Sequence, residues 1–242
     1  DTVEVFLLTS LWWLGELREL VRLHPVYLRA AHDAGNVYLQ RGLRGWRANV
    51  AWLVADDPAT ARAQARTAAP DASDGSFHLH HYYDVYANLL IDLYQGAGEA
   101  AAARIEEAWR GLVASRLLRI EAVDVEAHYL RGVAAVAAVV ARGDGAGDGA
   151  LAVAAAAAAH LDGVGSPAAR ALGAQVRGAL ARARGDRDGA REALRRASEL
   201  AAAASLGVQR AVAELWLCEL EGGAAGDARA ASALATLAGQ GV

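Results

Sequence analysis

The chain has 242 residues, a formal net charge of -4, 55% hydrophobic and 21% charged residues, and Arg supplies all 24 of its Lys+Arg positions. Without Lys, it cannot form a Walker-type phosphate loop, the nucleotide site of a protein kinase or a Schiff base. The slightly acidic balance also argues against nucleic acid or an anionic membrane as a partner.

Helix-forming residues dominate the sequence, and no β-branched run alternates strictly with polar residues. We therefore predict an all-α protein. Asp57-Pro58 and Ser166-Pro167 each place a capping oxygen before a Pro at the first helical position. The predicted helices cover residues 3–23, 26–34, 37–55, 58–69, 80–95, 98–115, 119–142, 149–161, 167–184, 187–204, 208–221 and 225–238. Glycines that we expect to close helices in a left-handed conformation are Gly35, Gly96, Gly143, Gly185, Gly207 and Gly222.

Turn markers recur along the chain at intervals of 40, 47, 42 and 37 residues, counted from Asp56 through Gly96, Gly143 and Gly185 to Gly222. This is the length of two helices and two turns, so the period predicts stacked helical hairpins. Small, large and small residues follow a marker at offsets of 5, 9 and 12, although the middle residue is only Ala in the sets counted from Asp56 and Gly145. The positions are Ala190, Leu194 and Ala197; Ala101, Ile105 and Ala108; Ala61, Ala65 and Ala68; and, from Gly145, Ala150, Ala154 and Ala157. Gly178 is the matching small contact that we expect on the first helix of the 167–204 pair.

These offsets resemble the tetratricopeptide repeat (TPR). The resemblance implies one right-handed α-solenoid of about six antiparallel helical hairpins that covers residues 1–242. The predicted pairs are approximately 3–34, 37–69, 80–115, 119–161, 167–204 and 208–238.

A second resemblance involves the segments AWLVADDP (51–58), HHYY (80–83), IDLYQGAG (91–98), RIEEAW (104–109) and SRLLRI (115–120), with the final QGV. They resemble the C-terminal TPR-like region of large bacterial serine/threonine protein kinases. The resemblance implies an upstream kinase domain in cis, and the absence of Met from the chain is consistent with a C-terminal fragment of a longer protein. No kinase motif occurs within the chain, so the sequence assigns no catalytic, cofactor-binding or metal-ligating residue.

We therefore expect a non-catalytic scaffold that binds a protein or peptide in a concave groove and regulates the attached kinase. The candidate groove residues are Trp13, Tyr38, Trp46 and Tyr83, because stacked hairpins expose some aromatic residues on their inner face. An alternative is the effector-sensing helical-repeat region of a large ATP-dependent transcription activator. An autonomous enzyme is a third possibility. The single Cys and the absence of a membrane-length apolar run or a secretory leader suggest a cytoplasmic protein.

Several smaller patterns favour structural interpretations. His78, His80 and Asp84 have the spacing of metal ligands, but their place at a helix entrance favours packing. The glycine-rich residues 143–149 predict a flexible loop. The acid pairs Glu106–Glu107 and Asp124–Glu126 predict solvated helix faces, and the eight Arg between 167 and 200 predict a partly salt-bridged face. Cys218 is expected to be a buried small hydrophobic residue.

Overall fold

A computed structural model of the chain describes residues 2–69, 76–143 and 148–241. Within these residues the protein is all-helical and contains no β-strand, which confirms the predicted all-α class. Residues 144–147, the centre of the predicted glycine-rich loop, lie outside the described residues. The α-helices are α1 Thr2–Leu14, α2 Leu17–Asp33, α3 Val37–Arg44, α4 Val50–Val54, α5 Pro58–Ala68, α6 Leu79–Tyr94, α7 Gly98–Ala114, α8 Glu121–Arg142, α9 Asp148–Val164, α10 Pro167–Ala183, α11 Arg187–Ala203, α12 Gly207–Glu221 and α13 Gly223–Gly239. Short 3-10 helices cover Trp46–Asn49 and Leu117–Arg119.

From residue 58 onward, the predicted helix limits agree with the observed ones to within three residues. The capping residues explain this agreement. The side chain of Asp57 accepts a hydrogen bond from the backbone N–H of Thr60 at 2.9 Å, and Ser166 accepts one from Ala169 at 3.3 Å. Each cap therefore satisfies one of the free amide groups of the first helical turn.

The predicted limits are wrong in the first quarter of the chain. Pro25 lies inside α2 instead of separating two helices. Burial of Leu20, His24 and Ala31 on α2 outweighs the local cost of the amide hydrogen that Pro25 lacks. The predicted helix 37–55 is likewise broken at Gly45, which has an extended backbone (φ -109°, ψ -165°).

Five of the six predicted left-handed glycines have positive φ, but Gly207 does not. Ser205 takes the left-handed position before α12 instead, with a φ of 57°. Gly207 is needed for a different reason, since a Cβ atom there would lie 2.3 Å from the carbonyl oxygen of Leu14. Gly15 lies on the other side of the same contact, where a Cβ atom would be 3.1 Å from the Cα atom of Gly207. We call this close approach the α1–α12 crossing.

Each helix from α5 to α13 packs against the next along the chain, and α6 with α8, α8 with α10, and α10 with α12 are also in contact. The residues at the small-large-small offsets form much of this packing. Ala190, Leu194 and Ala197 are buried, and a Cβ atom on Gly178 would lie 2.6 Å from Leu194 Cδ2. The predicted role of Gly178 as the small contact is therefore confirmed, because any larger residue would displace a fully buried leucine.

Surface charges of α9 to α12 are paired across neighbouring helices. Arg177 bonds Asp162, Arg182 bonds Glu219 at 2.6 Å and Arg195 bonds Glu221 at 3.1 Å. The predicted salt-bridged face is thus confirmed, and Cys218 is buried as expected. Among the described residues, we find no helix whose length and apolar character would let it cross a membrane.

Candidate functional site

Three of the four aromatic residues predicted to line a groove, Tyr38, Trp46 and Tyr83, belong to one aromatic network, and Trp13 lies apart from it. Trp46 stacks on Tyr83 with ring centroids 4.4 Å apart, and both side chains belong to the largest core cluster. Trp13 is half-buried and packs against two smaller core clusters. The second core cluster includes Leu161, Leu172 and Val176, and the third consists of Ala171, Ala201 and Leu206. Tyr38 is 55% exposed and contacts His80 edge-on. Trp46 and Tyr83 therefore contribute to the core and not to an open groove surface, whereas Tyr38 offers most of its ring to solvent.

A buried ion pair between Arg47 and Glu126 lies beside this network. Arg47 Nε donates to Glu126 Oε1, and the side chains are 3% and 2% exposed. The guanidinium also lies 3.9 Å from the centroid of the Trp46 ring, while Tyr82 donates its hydroxyl hydrogen to Glu126 Oε2 at 3.4 Å. Trp46 has a φ of 48°, a left-handed conformation that bulky residues rarely adopt. Burial on this scale contradicts the predicted solvated position of Glu126.

Burial dominates the titration of this centre. It raises the pKa of the Glu126 carboxyl above its ordinary value, and the Arg47 guanidinium opposes that rise. Burial also raises the pKa of Tyr83 to about 12 and that of Tyr82 well above its ordinary value. The phenols are therefore protonated at neutral pH. A substrate could reach the ion pair only if the surrounding helices separated.

The histidine-rich segment does not form the metal cluster that its spacing suggested. His80 packs against Tyr38 and Tyr83, and Asp84 accepts a hydrogen bond from Asn88 Nδ2 at 2.9 Å. His81 Nδ1 accepts one from the backbone N–H of His78 at 3.0 Å, which satisfies an amide at the start of α6. The segment caps and packs a helix entrance, as the structural interpretation predicted. The structure instead brings Asp124, His128 and His160 together, a set for which the sequence gave no metal prediction.

An apolar depression lies where α6, α8, α10 and α12 meet. Its volume is about 290 Å³, and every lining residue is apolar or Gly. Its largest side chains are Leu93, Trp216 and the valines Val133, Val136 and Val140, of which Val140 is 68% exposed. We call this surface the Trp216 groove. Sequence analysis missed Trp216, although it is the one aromatic residue after Tyr129 and therefore stands out against an Ala-rich background.

A larger depression of about 640 Å³ lies over α9, α10 and α11. Its lining alternates Ala with charged residues, among them Asp162, Arg177, Asp186 and Glu192. Arg177 is paired with Asp162, and Asp186 accepts a hydrogen bond from the backbone N–H of Gly189, so part of the charge in the depression is engaged. This surface is more polar than the Trp216 groove, whose lining contains no charged residue.

Comparison of the chain with protein-family models, with curated proteins and with solved structures found no match in any of the three. Function must therefore be argued from the residues and surfaces described above.

Proposed function

We propose that this chain is a non-catalytic scaffold that binds an apolar segment of a partner protein in the Trp216 groove. The observation that carries the proposal is the composition of the groove, because helices of four hairpins contribute to one surface that is entirely apolar or Gly. Apolar surface of this kind gains free energy when a partner removes it from water.

We propose that the Trp216 groove lies on the inner face of an α-solenoid. Contacts between alternate helices, α6 with α8, α8 with α10 and α10 with α12, support this arrangement. Close packing at the small-large-small positions, such as Gly178 against Leu194, supports a TPR-like hairpin. In such arrays the first helix of each hairpin lines the concave side, where partners bind.

An apolar helix or extended peptide is the proposed occupant. The volume of about 290 Å³ is at the lower limit for small-molecule sites, and the lining has none of the polar groups that orient such ligands. A few peptide side chains therefore fit this volume better than a complete small-molecule effector does. The protein itself provides a precedent, since α1 is an apolar helix whose Trp13 packs against the second core cluster, to which Trp216 also belongs.

Regulation of a serine/threonine kinase domain in cis is the proposed role of this binding. It rests on the resemblance of the segments between residues 51 and 120 to kinase-associated TPR-like regions. The sequence encoded before Asp1 tests it first, since a kinase domain must be found there. Kinase activity of that parent protein should then change when the array is deleted. Unchanged activity would remove the regulatory role and leave the binding proposal intact.

A peptide-display selection on the isolated chain tests the binding proposal directly. We expect enriched peptides to carry apolar residues at helical spacing and no shared charged motif. Val140→Asp places a charge in the groove and should weaken their binding by more than about tenfold, because the carboxylate would have to be desolvated. Trp216→Ala should weaken it similarly.

Val37→Asp is the matched control, because Val37 is 60% exposed but lies on α3, away from the groove. It should leave peptide affinity unchanged. Selection of no peptide, or equal affinity for the Val140→Asp and Val37→Asp variants, would contradict binding in the Trp216 groove.

A further inference from the structure

Asp124, His128 and His160 bring three metal-binding groups together between α8 and α9. One ligand atom from each residue lies within 4.8 Å of the others. Asp124 and His128 are one helical turn apart on α8, and their side chains are 14% and 13% exposed. His160 comes from α9 and stacks on His128 with ring centroids 3.6 Å apart. The cluster is thus formed by the packing of two helices and not by a local sequence motif.

Hydrogen bonds of His128 and His160 determine which nitrogen of each imidazole ring could bind a metal ion. His128 Nδ1 lies 2.9 Å from the backbone carbonyl oxygen of Asp124, which can only accept, so Nδ1 carries the hydrogen. The same nitrogen lies 3.2 Å from Asp124 Oδ1, and the lone pair of the neutral ring is on Nε2, so the His128 ring must turn to share a cation with Asp124. His160 Nε2 lies 2.8 Å from Asp124 Oδ2. The hydrogen between this nitrogen and this oxygen must leave before a cation can bind both atoms.

Arg131 and Trp109 lie beside the cluster, and His160 connects it to solvent. Arg131 is the nearby positive charge, but it donates to Glu106 at 2.6 Å and 2.9 Å, so its charge is matched. Arg131 also lies over the ring of Trp109, whose edge contacts His128. Trp109 therefore packs on one side of His128, and His160, at 42% exposure, leaves an entry path from solvent on the other.

We propose that Asp124, His128 and His160 bind a zinc ion that joins α8 to α9. Two imidazole nitrogens and one carboxylate oxygen are ligands that Zn²⁺ accepts, with water in the fourth position. Zinc ligands at 2.0–2.1 Å in a tetrahedral arrangement lie roughly 3.3 Å apart, so the cluster must contract slightly. The two rings are stacked nearly parallel, so both must rotate before their nitrogen lone pairs converge on one ion.

Zinc titration of untagged, chelator-treated protein tests the proposal by calorimetry and thermal unfolding. We expect one zinc ion per chain and an unfolding temperature that rises with zinc concentration, because the ion binds the folded state. His160→Gln retains a hydrogen-bonding group for Asp124 but removes a ligand. It should weaken zinc binding by more than about tenfold while the metal-free protein keeps its helical circular dichroism.

Two other histidines provide the controls. His32 is exposed and lies 3.4 Å from Asp33, so His32→Gln removes a comparable histidine–aspartate pair that lacks a third ligand. His81→Gln tests the competing histidine-rich segment at the start of α6. Both variants should bind zinc as the unmodified chain does. Absence of zinc binding, undiminished binding by His160→Gln, or loss of binding in His81→Gln would each overturn the assignment.

Discussion

Arg47 and Glu126 depend on each other because both charges are almost fully removed from water. We expect Arg47→Met to lower the free energy of unfolding by about 3–5 kcal/mol, since it leaves the Glu126 carboxylate buried without its cation. The double variant Arg47→Met/Glu126→Leu should recover most of this loss, because apolar side chains then fill the same space. Urea unfolding of the two variants measures both effects.

Acid should partly rescue the single variant Arg47→Met. Without Arg47, the folded-state pKa of Glu126 rises further above its unfolded value, so the folded protein binds the extra proton more tightly. A raised carboxyl pKa contributes stability at low pH that is lost as the pH rises through it. The deficit relative to the unmodified chain should therefore be smaller at pH 5 than at pH 8. An equal deficit at both pH values would show that lost packing, and not charge burial, is the cause.

His24 gives the fold a pH dependence of the opposite sign. Its Nε2–H donates to the carbonyl oxygen of Leu43 at 2.7 Å, and burial lowers the pKa of the ring below its usual value. The unfolded state therefore binds a proton more readily, and stability falls as the pH drops below about 6.5. His24→Gln should be less sensitive to a change from pH 7.5 to pH 5.5 in urea unfolding. His32→Gln, at an exposed position, should retain the full sensitivity.

Some of these residue positions could have been predicted. Glu126 shares a helix face with Val123, Ala127, Leu130 and Ala134, all of which are buried, so helical periodicity marks it as an inward carboxylate. The partnership with Arg47 could not be predicted, because the two residues are 79 positions apart. His128 and His160 also meet only through the register of α8 on α9. Their local sequences offer no sign of it.

At the scale of elements, helix limits were predictable wherever a capping residue or a left-handed glycine marks one end of a helix. Asp57, Ser166 and the left-handed glycines each fix a boundary through a hydrogen bond or a backbone conformation. The break within residues 37–55 was not predictable. The spacing of apolar residues there fits a single helix and does not indicate the extended Gly45 or the left-handed Trp46. Tertiary contacts, the stacking of Trp46 on Tyr83 among them, overcome the local helical preference there.

Alanine substitutions at Gly207 and Gly149 distinguish the effect of close packing from that of helix propensity. Both glycines lie near the start of a helix, but only Gly207 is closely packed. At Gly207 a new Cβ atom would meet the carbonyl oxygen of Leu14, whereas at Gly149 nothing lies within 4 Å. We expect Gly207→Ala to lower the free energy of unfolding by about 1–3 kcal/mol. Gly149→Ala should raise it by about 0.4–1 kcal/mol, because Ala restricts the unfolded chain. A stabilising Gly207→Ala would mean that the α1–α12 crossing is looser than described.

At the scale of the whole molecule, Trp13 connects parts of the sequence that are far apart. It packs near Ala171, Ala201 and Leu206 in the third core cluster. We expect Trp13→Ala to increase amide hydrogen exchange in α12 as well as in α1, because the two helices lose a shared support. Trp109→Ala, which also removes a half-buried indole, should leave exchange in α12 unchanged. Equal exchange in α12 for both variants would indicate that α1 does not support the C-terminal helices.

The α1–α12 crossing also determines how the chain carries mechanical load. In a row of hairpins that contact only their neighbours, tension between the first and last helices passes through each interface in turn. Here the backbones at Gly15 and Gly207 approach closely, and Trp13 packs against the third core cluster, so part of the tension between α1 and α12 passes directly between these helices. We therefore expect the intervening helices to extend mainly after the crossing has opened. α12 takes part in both the crossing and the Trp216 groove.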